Sequence, residues 1–244
     1  MKKPLKTILF LGASILIPFF SVMAQVSDNA EKLYQQVLEN PPAPAEARVI
    51  GKKIDLIFKA ISQIDSQFAE AVTKIKWGDV YDPKALNQPK KLAALIKVNS
   101  KSLELAKKAF DEREKIFTQA LKDLAALAEK SLFAKAMSLE LKDRYEAAET
   151  GFKAINEEMR ATTIAQHGLI DRKLKMLAAN QGSYKMLEVG KIAFAEEEKG
   201  KALMAQYQRN NQEHNQTTAR QRQVGEFFVK NHDAVLERFR ELSK

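Results

Sequence analysis

The chain has 244 residues, carries a formal net charge of +9 and contains no cysteine. The absence of thiols excludes disulfide bonds, thiolate metal sites and cysteine nucleophiles, so buried apolar area must stabilise the fold. Lys, Arg, Glu and Asp are interleaved along the sequence, and no basic cluster contains aromatic residues, so we expect no nucleic-acid partner.

The first 24 residues predict a cleaved secretory signal peptide. Three lysines within the first six residues precede an apolar run from Thr7 to Phe20, and Val22-Met23-Ala24 has the small residues of a cleavage site. The apolar run is too short to favour a membrane span, although an uncleaved N-terminal anchor is the alternative. We therefore expect an exported protein, either periplasmic or secreted.

Residues 25–43 are predicted to form a short helix followed by a proline-rich linker. Ser27 or Asp28 is suited to cap the start of the helix, and the helix ends where three prolines cluster within residues 41–44. Pro44 can occupy the first position of the next helix, because that position needs no backbone N–H.

A long helix is predicted from about residue 44 to residue 76. Its apolar residues recur at steps of three and four without interruption, which places them on one stripe of a helix. The members of this stripe are Ile50, Ile54, Ile57, Ile61, Ile64, Phe68, Ala71 and Ile75. A helix of this kind must bury its stripe against other helices. Because this stripe is the most regular in the chain, we expect the helix at the centre of a bundle.

Residues 77–89 form an irregular connection that is the first candidate binding site. It contains the only tryptophan of the chain, and binding residues concentrate on loops and on aromatic anchors. Its candidate partner-binding residues are Trp77, Asp79, Tyr81 and Asp82. The alternative is that Trp77 closes the end of the bundle while the aspartates cap turns.

A second long helix is predicted to begin near Lys90. Its apolar stripe contains two polar residues, Asn99 and Arg113. We favour the interpretation that they lie at the edge of the stripe, and the alternative is that they are buried and fix the register of the helices at a cost in stability. Residues 131–138 contain neither glycine nor proline, so the sequence leaves open whether this helix continues into the next.

A third long helix carries an apolar stripe from Leu141 to Leu177. It is expected to end at Gly182, which suits a left-handed C-terminal cap, and Ser183 suits the N-cap of the following helix.

The fourth predicted helix runs from Ser183 to about Leu242. Its two ends are apolar, whereas residues 206–223 are polar and rich in amides. This middle stretch could fray, project beyond the bundle or form a layer of hydrogen bonds, and we favour projection or a hinge. It supplies the remaining candidate partner-binding residues, which are Tyr207, Arg209, Arg220 and Arg222.

These elements together predict an all-α protein. We expect residues 44–244 to form a single domain, an elongated antiparallel helical bundle or coiled coil of three to four long helices.

The sequence predicts no catalytic, cofactor or metal site. The chain has three histidines, and none follows a glutamate at the spacing of a di-iron bundle or a zinc protease. We therefore expect no enzyme, no cofactor and no small-molecule substrate. The favoured hypothesis is a non-enzymatic protein of the cell envelope that binds, scaffolds or chaperones, with a protein partner or self-association. The alternatives are a peripheral dimer at an anionic membrane surface, similar to BAR modules, and a secreted helical toxin or effector.

Overall fold

The computed structural model describes residues 26–73, 82–147, 151–188, 191–194 and 197–242. In these ranges the protein is all-α apart from one antiparallel hairpin. The helices are α1 (Asp28–Glu39), α2 (Pro44–Thr73), α3 (Pro83–Leu86), α4 (Pro89–Ala128), α5 (Leu132–Glu146), α6 (Phe152–Ala179) and α7 (Glu197–Leu242), and the strands are β1 (Tyr184–Glu188) and β2 (Lys191–Phe194). The predicted signal peptide lies outside the described residues.

The predicted starts of the first two helices are confirmed. The side chain of Ser27 caps α1 by accepting a hydrogen bond of 3.3 Å from the backbone N–H of Ala30. Asp28 and Glu31 follow in the first turn, where negative charge is favourable. The second helix begins at Pro44, as expected for a proline that needs no hydrogen-bonded N–H.

The apolar stripe of α2 is central only over its first half. Its first four isoleucines are buried, namely Ile50, Ile54, Ile57 and Ile61. Beyond them Ile64, Phe68 and Ala71 are only half-buried, and Ile75 lies outside the described residues. The helix packs mainly against α4, and its first half also belongs to the buried cluster shared with α1, α5 and α7. The expected central position is therefore wrong for the second half of α2.

The predicted third helix is interrupted, because α5 ends at Glu146 and α6 begins at Phe152. Gly151 caps the start of α6, and a Cβ at this position would lie 2.6 Å from the carbonyl oxygen of Ala147. Only glycine fits so close to the preceding backbone. The open question at residues 131–138 is also settled, since Ser131 caps a separate helix α5.

The core continues across this break through stacked aromatic rings. The ring of Phe117 in α4 lies 4.9 Å from the ring of Phe152 and 5.6 Å from that of Tyr145. All three residues belong to one buried cluster that also joins α1, α2 and the end of α7. The aromatic contacts thus hold the two sides of the break against the same helix.

The first part of the predicted fourth helix is instead the β1–β2 hairpin. Met186 pairs with Ile192 across the two strands, and both are buried with Leu86 of α3 and Tyr207 of α7. The buried residues alternate along the strand, a period of two that the helical interpretation overlooked. Gly182 does adopt the predicted left-handed conformation, with φ of 85°, but Ser183 leads into β1 and caps no helix.

The polar stretch 206–223 is helical and packs against α6, so the favoured projection or hinge is wrong. The hydrogen-bonded polar layer is the alternative that the structure shows. Gln166 donates to the hydroxyl of Thr218 at 2.9 Å, and Gln221 donates to the hydroxyl of Thr163 at 2.9 Å. These pairs also show that α6 and α7 run in opposite directions. None of the described helices combines the length and the apolar character needed to cross a membrane.

We predict that Gly151→Ala destabilises the protein by about 1–3 kcal/mol, because the added Cβ would overlap the backbone of Ala147. Urea unfolding followed by circular dichroism measures this change. Gly225→Ala is the matched control. A Cβ at Gly225 meets no atom within 4 Å, so alanine should stabilise the helix by about 0.5–1 kcal/mol. Equal effects of the two variants would contradict the steric explanation.

Candidate interaction surfaces

The predicted loop site is only partly within the described residues. Trp77, Asp79 and Tyr81 lie outside them. Asp82 caps α3, where its carboxylate accepts a hydrogen bond of 2.9 Å from the backbone N–H of Lys84. The described end of this connection therefore has the turn-capping role that we weighed as the alternative.

The helix that follows Asp82 is fixed to the hairpin by polar contacts. Asn87 donates to the carbonyl of Met186 at 3.0 Å and accepts from the N–H of the same residue at 2.8 Å. The hydroxyl of Tyr184 donates to the carbonyl of Leu86 at 2.6 Å. These contacts satisfy backbone groups at the end of α3, so they stabilise the fold.

The four candidate residues of α7 do not form one surface. Tyr207 is 2% exposed and belongs to the core, with the ammonium group of Lys173 4.6 Å from the centre of its ring. Arg209, Arg220 and Arg222 are exposed. Arg209 and Arg220 share a face of the helix, and the guanidinium of Arg220 pairs with Glu158 at 2.9 Å. Arg222 lies on a different face.

Asn99 of α4 and His167 of α6 form a hydrogen-bonded pair inside the protein. Asn99 is 3% exposed, so its predicted place at the edge of the stripe is wrong. Its amide donates to the carbonyl of His167 at 2.9 Å, and its oxygen lies 2.7 Å from Nδ1 of that histidine. Since the amide oxygen can only accept, Nδ1 carries the proton. Burial lowers the pKa of His167 and so favours the neutral imidazole.

A second buried polar cluster joins α1, α5 and α7. Glu140 and Arg144 of α5 are both buried and form an ion pair of 2.5 Å. Arg238 of α7 lies with its guanidinium carbon 3.8 Å from the ring centre of Tyr34 and pairs with Glu31, both on α1. Burial opposes its charge, yet the hydrogen bonds to Glu31 and Tyr34 raise the pKa of Arg238. These charged side chains are therefore used to join helices.

Among the grooves on the described surface, one lies between α6 and α7 and another between α2 and α4. The first has a volume of about 560 Å³, and its Arg172 and Glu213 form an ion pair of 3.0 Å. The second has a volume of about 250 Å³ and includes Leu56 and Ile116.

Four lysines on α4 share one exposed face, which we call the lysine face. They follow one another at steps of seven, four and seven, and they are Lys90, Lys97, Lys101 and Lys108. At 3.6 residues per turn they fall within about 40° of the helix circumference and extend over about 27 Å. The buried residues Leu92, Asn99 and Ala106 lie on the opposite side of the helix.

The lysine face carries more positive than negative charge along α4. Within the part of the chain that the structure describes, no carboxylate forms an ion pair with any of its four lysines. Some other surface charges are paired, such as Arg160 with Asp111 at 2.7 Å and Lys175 with Asp171 at 2.7 Å. Between residues 89 and 110 the sequence contains six lysines and a single acid, Glu104, and Glu112 follows one turn beyond Lys108.

Sequence reasoning missed the lysine face because it interpreted interleaved charges as an ordinary solvated surface. A signal was available, since the four lysines repeat with the same period as the apolar stripe. The absence of ion pairs could not be inferred from sequence, because it depends on which helices lie beside α4.

No protein family model, curated protein or solved structure matches this chain. Among the described residues, no group of three or more His, Asp or Glu side chains is arranged to hold a metal ion. Evidence for a functional site therefore comes from the geometry of the described residues, and the lysine face is the best candidate.

We predict that the protein loses stability as the pH falls from about 7.5 to about 5.5. Burial lowers the pKa of His167 in the folded state, so the unfolded chain binds a proton first and is favoured as the pH falls. Urea midpoints measured across this pH range test the expectation.

His167→Gln should reduce the slope of the free energy of unfolding against pH. Part of the slope should remain because of His214, whose pKa is also lowered by burial and by Lys173. His232→Gln is the matched control, since His232 pairs with the adjacent surface residue Asp233 at 3.1 Å. An unchanged slope in His167→Gln would contradict the assignment.

Proposed function

We propose that this chain is an exported, non-enzymatic binding protein of the cell envelope that binds an anionic partner through its lysine face. The observation that carries the proposal is the set of four exposed lysines on one side of α4, none of which pairs with a carboxylate of the described residues. Positive charge held in a fixed array attracts anionic partners and speeds their association, and this attraction weakens with salt.

The position of the lysines on α4 supports binding by a rigid surface. This helix has 40 residues, and its opposite side is buried at Leu92, Asn99 and Phe110. Because the backbone is held along this length, an anionic partner does not have to order the helix when it binds, which lowers the cost of association. We place the lysine face on the long side of an elongated antiparallel bundle.

The use of the buried polar groups supports binding rather than catalysis. A catalytic acid or base needs a polar atom that can reach a substrate. In the described structure, Asn99 is engaged with His167, Glu140 with Arg144, and Tyr34 with Glu241. The first and the last of these contacts join two helices, and the ion pair between Glu140 and Arg144 lies within α5. The loop residues Trp77, Asp79 and Tyr81 remain predicted partner contacts.

We predict that the protein isolated from the cell envelope or the medium begins at Gln25. The signal peptidase requires small residues before the cleaved bond, so Ala24→Arg should leave an unprocessed precursor. Mass spectrometry of the purified protein measures the N-terminus of each form. Wild-type protein that keeps Met1 and stays inside the cell would contradict export.

We predict that replacing all four residues of the lysine face with glutamine weakens binding to an isolated cell-envelope fraction by about tenfold or more. Co-sedimentation at low salt measures the bound fraction. The matched control replaces four exposed lysines on other surfaces with glutamine, so that both variants lose the same charge. These control positions are Lys52, Lys135, Lys142 and Lys153.

The two variants separate the outcomes of this experiment. Wild type and control should bind alike and lose binding as salt is raised, because surface charges are screened. Equal weakening in both variants would mean that net charge, and not the lysine face, drives binding. If wild-type protein does not bind the envelope fraction, the proposed function fails.

A further inference from the structure

We propose that the anionic partner of the lysine face is a phospholipid membrane surface with anionic headgroups. This inference rests on the proposed function, because it names the class of partner for the same surface. Three features of the lysine face favour a lipid surface over a protein, namely its residue types, its lack of apolar anchors and its place along one side of a single helix.

The first feature is the choice of lysine. The ammonium group of lysine is a compact, strongly hydrated point charge, whereas the planar guanidinium of arginine binds a carboxylate through two parallel hydrogen bonds. The lysine face contains four lysines and no arginine. This composition suits attraction to many mobile headgroups, and it lacks the directional contacts that recognise one acidic protein segment.

The second feature is the absence of an apolar centre. Protein interfaces place aromatic residues, methionine and arginine at their centre, and they are depleted of lysine. The side chains that share the sector with the four lysines are Ala94 and Glu104, and neither is a large apolar anchor. Binding must then come from charge alone, as it does for basic segments at an anionic membrane surface.

The third feature is geometry. The four lysines lie on one line along the side of the uninterrupted helix α4, so all of them can approach a plane at the same time. Lys91 and Lys107 are exposed on either side of this line and broaden the positive surface. Each lysine close to an anionic membrane strengthens binding about fivefold, and four together strengthen it several hundredfold.

Co-sedimentation with vesicles tests the inference. The vesicles contain phosphatidylcholine with one third phosphatidylglycerol, and vesicles of phosphatidylcholine alone are the neutral control. Wild type and the control variant should bind the anionic vesicles at low salt and should not bind the neutral vesicles. The lysine-face variant should bind several hundredfold more weakly, and each single Lys→Gln change should weaken binding about fivefold. All of the replaced side chains are exposed, and circular dichroism checks that each variant is folded.

Two results would overturn the inference. If inorganic phosphate displaces the protein from vesicles much better than chloride of equal ionic strength, the lysines form a site for discrete phosphate groups and not a membrane surface. If the protein binds the cell-envelope fraction through the lysine face but does not bind anionic vesicles, the partner is a protein or a cell-wall polymer. The second result leaves the proposed function intact, whereas failure to bind the envelope fraction removes both.

Discussion

The buried hydrogen bonds between Asn99 and His167 fix how α4 lies against α6, and the outer surface depends on this arrangement. A one-residue shift would separate the amide from its partners, and an unsatisfied buried group costs about 1–3 kcal/mol. With Asn99 turned inward, the opposite side of α4 faces solvent, and the lysine face lies there. On its other side α6 pairs with the polar middle of α7 through Gln166 and Thr163. The most polar part of the interior thus positions the most charged part of the surface.

The sequence predicted those features that depend on local chemistry. Ser27 as a cap, Pro44 as the first residue of α2 and Gly182 in a left-handed turn each follow from the properties of one residue in its immediate context. The features that were missed depend on contacts across the fold. Asn99 is buried because of His167, which is 68 residues away in the chain. Gly151 lies at a break in a helical pattern, where it comes close to preceding backbone atoms. The periodicity of the sequence cannot predict such a close approach.

Candidate binding residues were harder to predict than the fold because the same charged residue types both stabilise helix packing and bind partners. Arg113 forms an ion pair with Asp65, and Arg144 forms one with Glu140, so these cations stabilise packing between or within helices. The lysines of α4 are chemically similar, and they differ in lacking a carboxylate partner among the described residues. Whether a charge is paired depends on the arrangement of helices. The sequence shows the spacing of the four lysines but not their lack of partners.

The contact between α1 and the end of α7 brings the two ends of the described chain together. Tyr34 donates a hydrogen bond to Glu241 across 207 residues, and Arg238 pairs with Glu31 over the same separation. During synthesis the chain emerges N-terminus first, so α1 is made early. Its contact with α7 can form only after the last helix has been made. Bringing such distant segments together carries a large entropic cost, so the contact closes late in folding. A protease that removes the C-terminal turns would therefore leave Glu31 and Tyr34 without these partners, while α1 would keep its packing against α5 and the hydrogen bonds from Ser27 to Asp143.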